Sequence, residues 1–192
     1  MFDFFMPDII YDSVYDIDFD SLRKKNIKGL IFDIDNTLVS YKQETPTENV
    51  VNLMNRLKDA GFAVCFVSNN NKERVDIFSG GFNRFSFQTI QTIQTFSAFP
   101  NAKKPLKKAM RKAVESMRLA NTDVAVIGDQ LFTDVIAAKR IKAASILVTP
   151  IEPVETLFFK LKRFLEKPFI KRYYKRLEKF ERLEKSDKSG KI

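Results

Sequence analysis

Ile31-Phe32-Asp33-Ile34-Asp35-Asn36-Thr37-Leu38 decides how this chain is read. The apolar run Ile27 to Phe32 has the character of a strand buried on both faces. Open α/β sheets bind ligands at the carboxyl ends of such strands, so Asp33 and Asp35 should emerge together at the mouth of a cleft. Two carboxylates there repel by about 4 kcal/mol at a separation of about 4 Å and an effective dielectric near 20. A divalent cation is the usual compensation. The competing reading is a polar turn after a strand, since Asp and Asn are ordinary turn formers.

Working outward, the pattern alternates strand and helix. A helix is expected from Thr47 to Ala60, with Thr45-Pro46-Thr47-Glu48 as its start and Val50, Val51, Met54 and Leu57 as its apolar stripe. Gly61 should end it. A second strand covers Phe62–Val67 and runs into Ser68-Asn69-Asn70. A short helix, Lys72–Ser79, is expected to stop at Gly80-Gly81. The stretch Phe82–Phe99 is the hardest to read: Phe87, Ile90, Ile93 and Phe96 recur with period three, which suggests a helix or an irregular strand. Beyond it come a helix from Pro105 to Leu119, a strand Val124–Gly128, a helix Thr133–Ile141 and a strand Ser145–Val148, with Pro150 and Pro153 marking a boundary. Alternation with short connections predicts a three-layer α/β/α fold, Rossmann-like, with a parallel sheet. The expected division is an irregular entry segment over 1–26 with a short helix around Phe19–Lys25, an α/β domain over 27–155 and a tail over 156–192.

Composition narrows the chemistry. The chain has 192 residues, 44% hydrophobic, with 19 Phe, enough for a sizeable core. It contains no His, which removes Ser-His-Asp and Cys-His hydrolases and most zinc enzymes. Acid–base work then falls to carboxylates, Lys or Tyr. Cys65 is the lone cysteine and sits in an apolar run, so it reads as core, and its solitude fits a reducing compartment. The first twenty residues hold six Asp and no Lys or Arg, the opposite of a signal peptide. A cytoplasmic protein is expected, free or peripheral to the inner face of a membrane.

Strand tips on one edge of a parallel sheet share a crevice. Asp33 and Asp35, Ser68 and Asn69, and Gly128-Asp129-Gln130 should therefore meet, with Lys104-Pro105 between them. These motifs, in this order and completed by Leu131-Phe132-Thr133-Asp134, resemble the haloacid dehalogenase superfamily, subclass IIIA phosphatases. Asp-Asn-Thr-Leu, Val-Ser-Asn-Asn, Ala-x-Lys-Pro-Leu and Gly-Asp-Gln-Leu-Phe-Thr-Asp together are similar to the YqeG family over about Ile27 to Pro150.

The resemblance implies a phosphoric monoester hydrolase dependent on Mg²⁺. Asp33 is implied as the nucleophile that forms an aspartyl phosphate, and Asp35 as the acid and base that also touches the metal through its carbonyl. Asp129 is implied as a further carboxylate ligand of Mg²⁺. Ser68, Asn69 and Lys104 are implied at the phosphate, with Lys103 as a competitor for the last role and Thr37 as a lesser phosphate contact. Asp134 is implied as a support that orders a metal-bound water or pairs with Lys104. The alternative is a helix-start acid favoured by the dipole.

Asp35 and Ser68 are 33 residues apart, and Ser68 and Lys104 36, too few for a full cap domain. The superfamily uses caps to enclose small substrates, so a capless cleft suits a phosphate on something large. The resemblance extends at a distance to phosphatases of phosphatidylglycerophosphate, which makes that lipid the expected substrate. A small metabolite or a nucleic-acid end are alternatives.

From Lys160 to Ile192 there are 13 Lys/Arg against 5 Asp/Glu, nearly all of the net charge of +9. This tail reads as a basic amphipathic helix broken near Pro168, with Ile170, Tyr173, Leu177 and Phe180 on one face. An anionic membrane surface or RNA, including ribosomes, would attract it. Packing on its own domain is the other reading.

Overall fold

The computed structural model describes residues 2–86, 96–153 and 156–189. Its six strands form one parallel sheet: β1 (Ile9–Tyr11), β2 (Gly29–Phe32), β3 (Ala63–Val67), β4 (Ser97–Phe99), β5 (Val124–Gly128) and β6 (Ala144–Val148), in the spatial order β1-β6-β5-β2-β3-β4. The helices are α1 (Phe19–Lys24), α2 (Glu48–Asp59), α3 (Lys72–Ser86), α4 (Lys107–Met117), α5 (Ile136–Ile141) and α6 (Leu157–Ser189). From β2 the chain steps outward to β3 and β4, then returns to the other side of β2 for β5 and β6. Such a reversal opens a crevice at the carboxyl ends of the strands.

The side chains of β2 explain the layers. All four of its residues are buried. Leu30 and Phe32 join Phe66 and Ile127 beneath Val50, Leu53, Met54 and Leu57 of α2 and Phe78 and Phe82 of α3. Ile31, with Cys65, Val67 and Val126, faces Met110, Ala113 and Val114 of α4 and Ala137, Ala138 and Ile141 of α5. Alternate residues of one strand thus feed two cores, each side chain contributing about 1.5–3 kcal/mol of burial. The expected three-layer α/β/α architecture is the one observed.

Three expectations are corrected. Besides the expected short helix, the entry segment holds a strand: β1 extends the sheet by pairing with β6, Ile9 opposite Ile146 and Tyr11 opposite Val148. The Asp8 carboxylate secures this edge by accepting from the Ser145 amide and hydroxyl, each at 2.8 Å. The helix from Lys72 does not stop at Gly80-Gly81 but runs to Ser86. A Cβ on Gly81 would lie 2.4 Å from Pro46 Cδ, so glycine serves close approach here, not termination. Nor is the tail broken near Pro168, which lies inside the continuous α6. The helix is held on both sides of that proline. Glu166 anchors it upstream, while downstream Phe169 packs on Phe5 and Phe132 with ring centroids 5.3 and 6.0 Å apart. The part of the unclear stretch over 87–95 lies outside the described residues.

Candidate active site

Registry brings the motif residues together. Phe32 is level with Phe66 on one side and Ile127 on the other, so β2, β3 and β5 finish side by side. Asp33 follows directly, its amide donating to Ile127 O at 2.9 Å. Asn36 then turns the chain with a positive φ of 65°, which Asn tolerates well. Its side chain holds the loop after β6, donating to Glu152 O at 2.7 Å and accepting from Glu152 N at 2.9 Å.

Asp33, Asp129 and Asp134 are all buried, and each offers a carboxylate oxygen within 4.8 Å of the others. Lys104 Nζ lies between two of them, 2.7 Å from Asp33 Oδ1 and 2.6 Å from Asp134 Oδ1. Burial, followed by the charges of Asp134 and Asp129, pushes Asp33 up to about 8 against the pull of Lys104. Burial and then Asp134 push Asp129 up to about 6, opposed by Arg163 and Lys104. Burial opposes the charge of Lys104, but Asp134 and Asp33 outweigh it and raise its pKa. The residues suit a hard cation: the donors are all oxygen, and Asp129 Oδ1 is buried without a hydrogen-bond donor among the described residues. This cluster can hold a divalent metal.

Asp134 is placed by what β5 lacks. Gly128 has no side chain, and a Cβ there would lie 2.3 Å from Asp134 Cγ. Asp134 sits in the π-helical turn Leu131–Val135 that leads into α5, where its Oδ2 accepts from Gln130 N and Thr133 Oγ1, both at 3.2 Å. Of the two roles weighed for it, pairing with Lys104 is seen.

The remaining expected residues divide. Asp35 directs Oδ1 to Arg74 Nη2 at 2.8 Å, while its Oδ2 accepts from Ser68 Oγ at 3.4 Å and Asn70 Nδ2 at 3.3 Å. Its carboxylate is not one of the acidic cluster, though it lines the same cavity as Asp33. Ser68 is buried beside it and lines the same cavity. Asn69 also lines the cavity, but its amide is engaged with the Lys104 backbone, accepting from the amide at 2.6 Å and donating to the carbonyl at 3.3 Å. It holds the lysine in position. Thr37 is buried and does not line the cavity. Of the two competing neighbours, Lys104 and not Lys103 lines the cavity.

The cavity has a volume of about 410 Å³. Tyr41, Gln130, Thr133 and Lys162 complete its wall. Several of these contributions went unforeseen. Arg74 also donates to Glu44 O at 2.6 Å and Gln43 O at 2.9 Å, tying Asp35 to the loop before α2. From α6, Arg163 pairs with Asp129 and with Glu166, while buried Glu166 accepts from Leu131 N at 3.0 Å. Nothing in a run dense in Lys and Arg distinguishes Arg163. Glu166 offered a faint signal, as a lone acid three residues on.

The family model described as "Mitochondrial PGP phosphatase" matches residues 2–155. A relative from Bacillus subtilis (strain 168), "Probable phosphatase YqeG", is 34% identical over 164 residues, covering 85% of this chain and 88% of that protein. Among solved structures, NagD from E. coli K-12 aligns at a TM-score of 0.47 with 14% identity, over 68% of this chain and 90% of that one. D,D-heptose 1,7-bisphosphate phosphatase from B. bronchiseptica, complexed with magnesium and phosphate, aligns at 0.48 with 15% identity, over 62% and 78%. On the strength of its sequence match across most of its length, the chain belongs to the mitochondrial PGP phosphatase family, phosphatases of the haloacid dehalogenase superfamily.

Proposed function

We propose that the chain hydrolyses the terminal phosphate of phosphatidylglycerophosphate with Mg²⁺ and an aspartyl-phosphate intermediate. The observation that carries the chemistry is the buried cluster of Asp33, Asp129 and Asp134 around Lys104 at the floor of an open cavity. Asp33 attacks phosphorus, forming an O–P bond as the bond to the glycerol oxygen breaks. Asp35 supplies the proton that the departing alkoxide needs, then takes one from the water that cleaves the acyl phosphate. Lys104 and Ser68, which both line the cavity, bind the phosphoryl oxygens. Asp33, Asp129 and the Asp35 carbonyl would hold Mg²⁺, which would neutralise charge on the acids and on the phosphoryl group.

The lipid assignment rests on the family described above and on two features of the chain. The described residues between Asp35 and Ser68 form only α2 and β3, with no cap over the cavity. Beside it, α6 exposes Leu157, Leu161, Phe164 and Leu165 together with Lys160, Lys167, Lys171 and Arg172. An amphipathic helix of this kind binds an anionic bilayer at its interface, each base adding about 1 kcal/mol. Among the described residues no helix is long and apolar enough to cross a membrane, so attachment is peripheral in this proposal.

The test is a substrate panel with and without Mg²⁺, on wild type and Asp33→Asn. It compares phosphatidylglycerophosphate in vesicles, glycerol 3-phosphate, nucleotides and a phosphorylated RNA end. Preference for the lipid and loss of all turnover in the folded variant are expected. A preference for nucleotides or RNA ends would replace the substrate, and an active Asp33→Asn would remove the nucleophile. Salt-sensitive RNA binding through 160–192 without hydrolysis of any ester would instead mark an RNA-binding protein.

A further inference from the structure

The residues matched by the family model end at 155, yet α6 supplies part of the cavity wall. Lys162, Arg163 and Glu166 turn inward from consecutive turns of this helix. Arg163 spends its charge on two carboxylates, those of Asp129 and Glu166. Lys162 differs. It lines the cavity, and its ammonium donates to the neutral amide oxygen of Gln130, another lining residue. An ammonium has three donors, so this contact leaves capacity to meet an anion. Lys162 thus brings a cation to the wall of a cavity whose floor already holds Lys104.

We propose that Lys162 is a specificity residue that binds a second anionic group of the substrate: the phosphodiester joining the glycerol phosphate to the lipid. The phosphomonoester then lies at Asp33, Ser68 and Lys104, and the glycerol spans the cavity. The exposed apolar residues Leu157, Leu161, Phe164 and Leu165 recur at helical spacing around Lys162, which favours a diester carrying acyl chains over one in a nucleic-acid backbone. This proposal rests on the reading of the substrate given above and names which of its features is recognised.

The experiment uses soluble substrates, which separates recognition in the cavity from docking on a bilayer. The deacylated headgroup carries both the diester and the monoester, whereas glycerol 3-phosphate carries the monoester alone. Wild type, Lys162→Met and Lys162→Arg are compared, with folding checked by thermal melts. Wild type should prefer the headgroup. In Lys162→Met that preference, the ratio of kcat/KM values, should fall about tenfold, the worth of one charge-assisted hydrogen bond. The loss should lie in KM, and Lys162→Arg should restore most of it. An unchanged ratio, or equal losses on both substrates, would overturn the assignment and leave Lys162 as a support for Gln130. Wild type active on other monoesters but on neither of these two would defeat the substrate reading, and the Lys162 assignment with it.

Discussion

The guanidinium of Arg163, on α6, is ion-paired with the carboxylate of Asp129 at the tip of β5. Asp129 is buried and its second oxygen has no hydrogen-bond donor among the described residues. Removing the guanidinium strands a buried charge. Arg163→Ala, without divalent cations, should lose about 3 kcal/mol of stability. Added Mg²⁺ should raise the melting temperature of the variant more than that of wild type, because a cation at the acidic cluster replaces the lost partner. Equal Mg²⁺ shifts would show that Asp129 does not exchange one cation for the other.

Gly128→Ala tests the placement of Asp134. The new methyl would collide with that carboxyl group and force it from Lys104, at present 2.6 Å away. Phosphatase turnover should fall at least about tenfold, with about 1–3 kcal/mol of destabilisation. Wild-type turnover in a folded variant would make the Lys104–Asp134 pair dispensable.

At the far edge of the sheet, burial pushes Asp8 upward, but Lys139 and Ser145 outweigh it and hold its pKa below the ordinary 3.8. A lowered carboxylate pKa stabilises the fold above the unfolded value, and that stability is lost as pH falls through the folded value. Asp8 is half-exposed, so the effect is modest. Asp8→Asn should be less stable by about 1 kcal/mol at pH 7, and the gap should narrow as pH falls below about 4. Denaturant titrations at pH 7 and pH 3 decide it. A gap that persists at low pH would mean that the carboxylate charge is not what holds β1.

Cys65 is fully buried on β3, and burial pushes its thiol up to about 12. The thiolate is the reactive form, so the native protein should resist thiol reagents and react only on unfolding. Rapid labelling under native conditions, read by mass spectrometry, would contradict that placement.

The sequence announces the central strands and the cluster at their tips because both leave local marks. Ile31-Phe32 must be apolar to lie between two helical layers, and Asp33 must follow at once to reach the crevice. The glycine before Asp129 is likewise forced, by the carboxyl of Asp134. What stayed hidden depends on tertiary contact. Ile9–Tyr11 is too short to show a period and is recognisable as a strand only beside β6. Gly81 reads as a stop until Pro46 is seen against it. Pro168 reads as a break because its own lost hydrogen bond is local, while the contacts of Glu166 and Phe169 that hold the helix are distant. Asn69 and Arg74 show the same limit. Their partners, Lys104 and Asp35, are more than thirty residues away in the chain.

α6 follows every strand in the chain. During synthesis the sheet and its acidic tips leave the ribosome before Arg163 does. In that interval Lys104 already serves Asp33 and Asp134, while Asp129 still waits for its guanidinium. The order of translation therefore leaves the carboxylate of Asp129 without its guanidinium until the last helix is made.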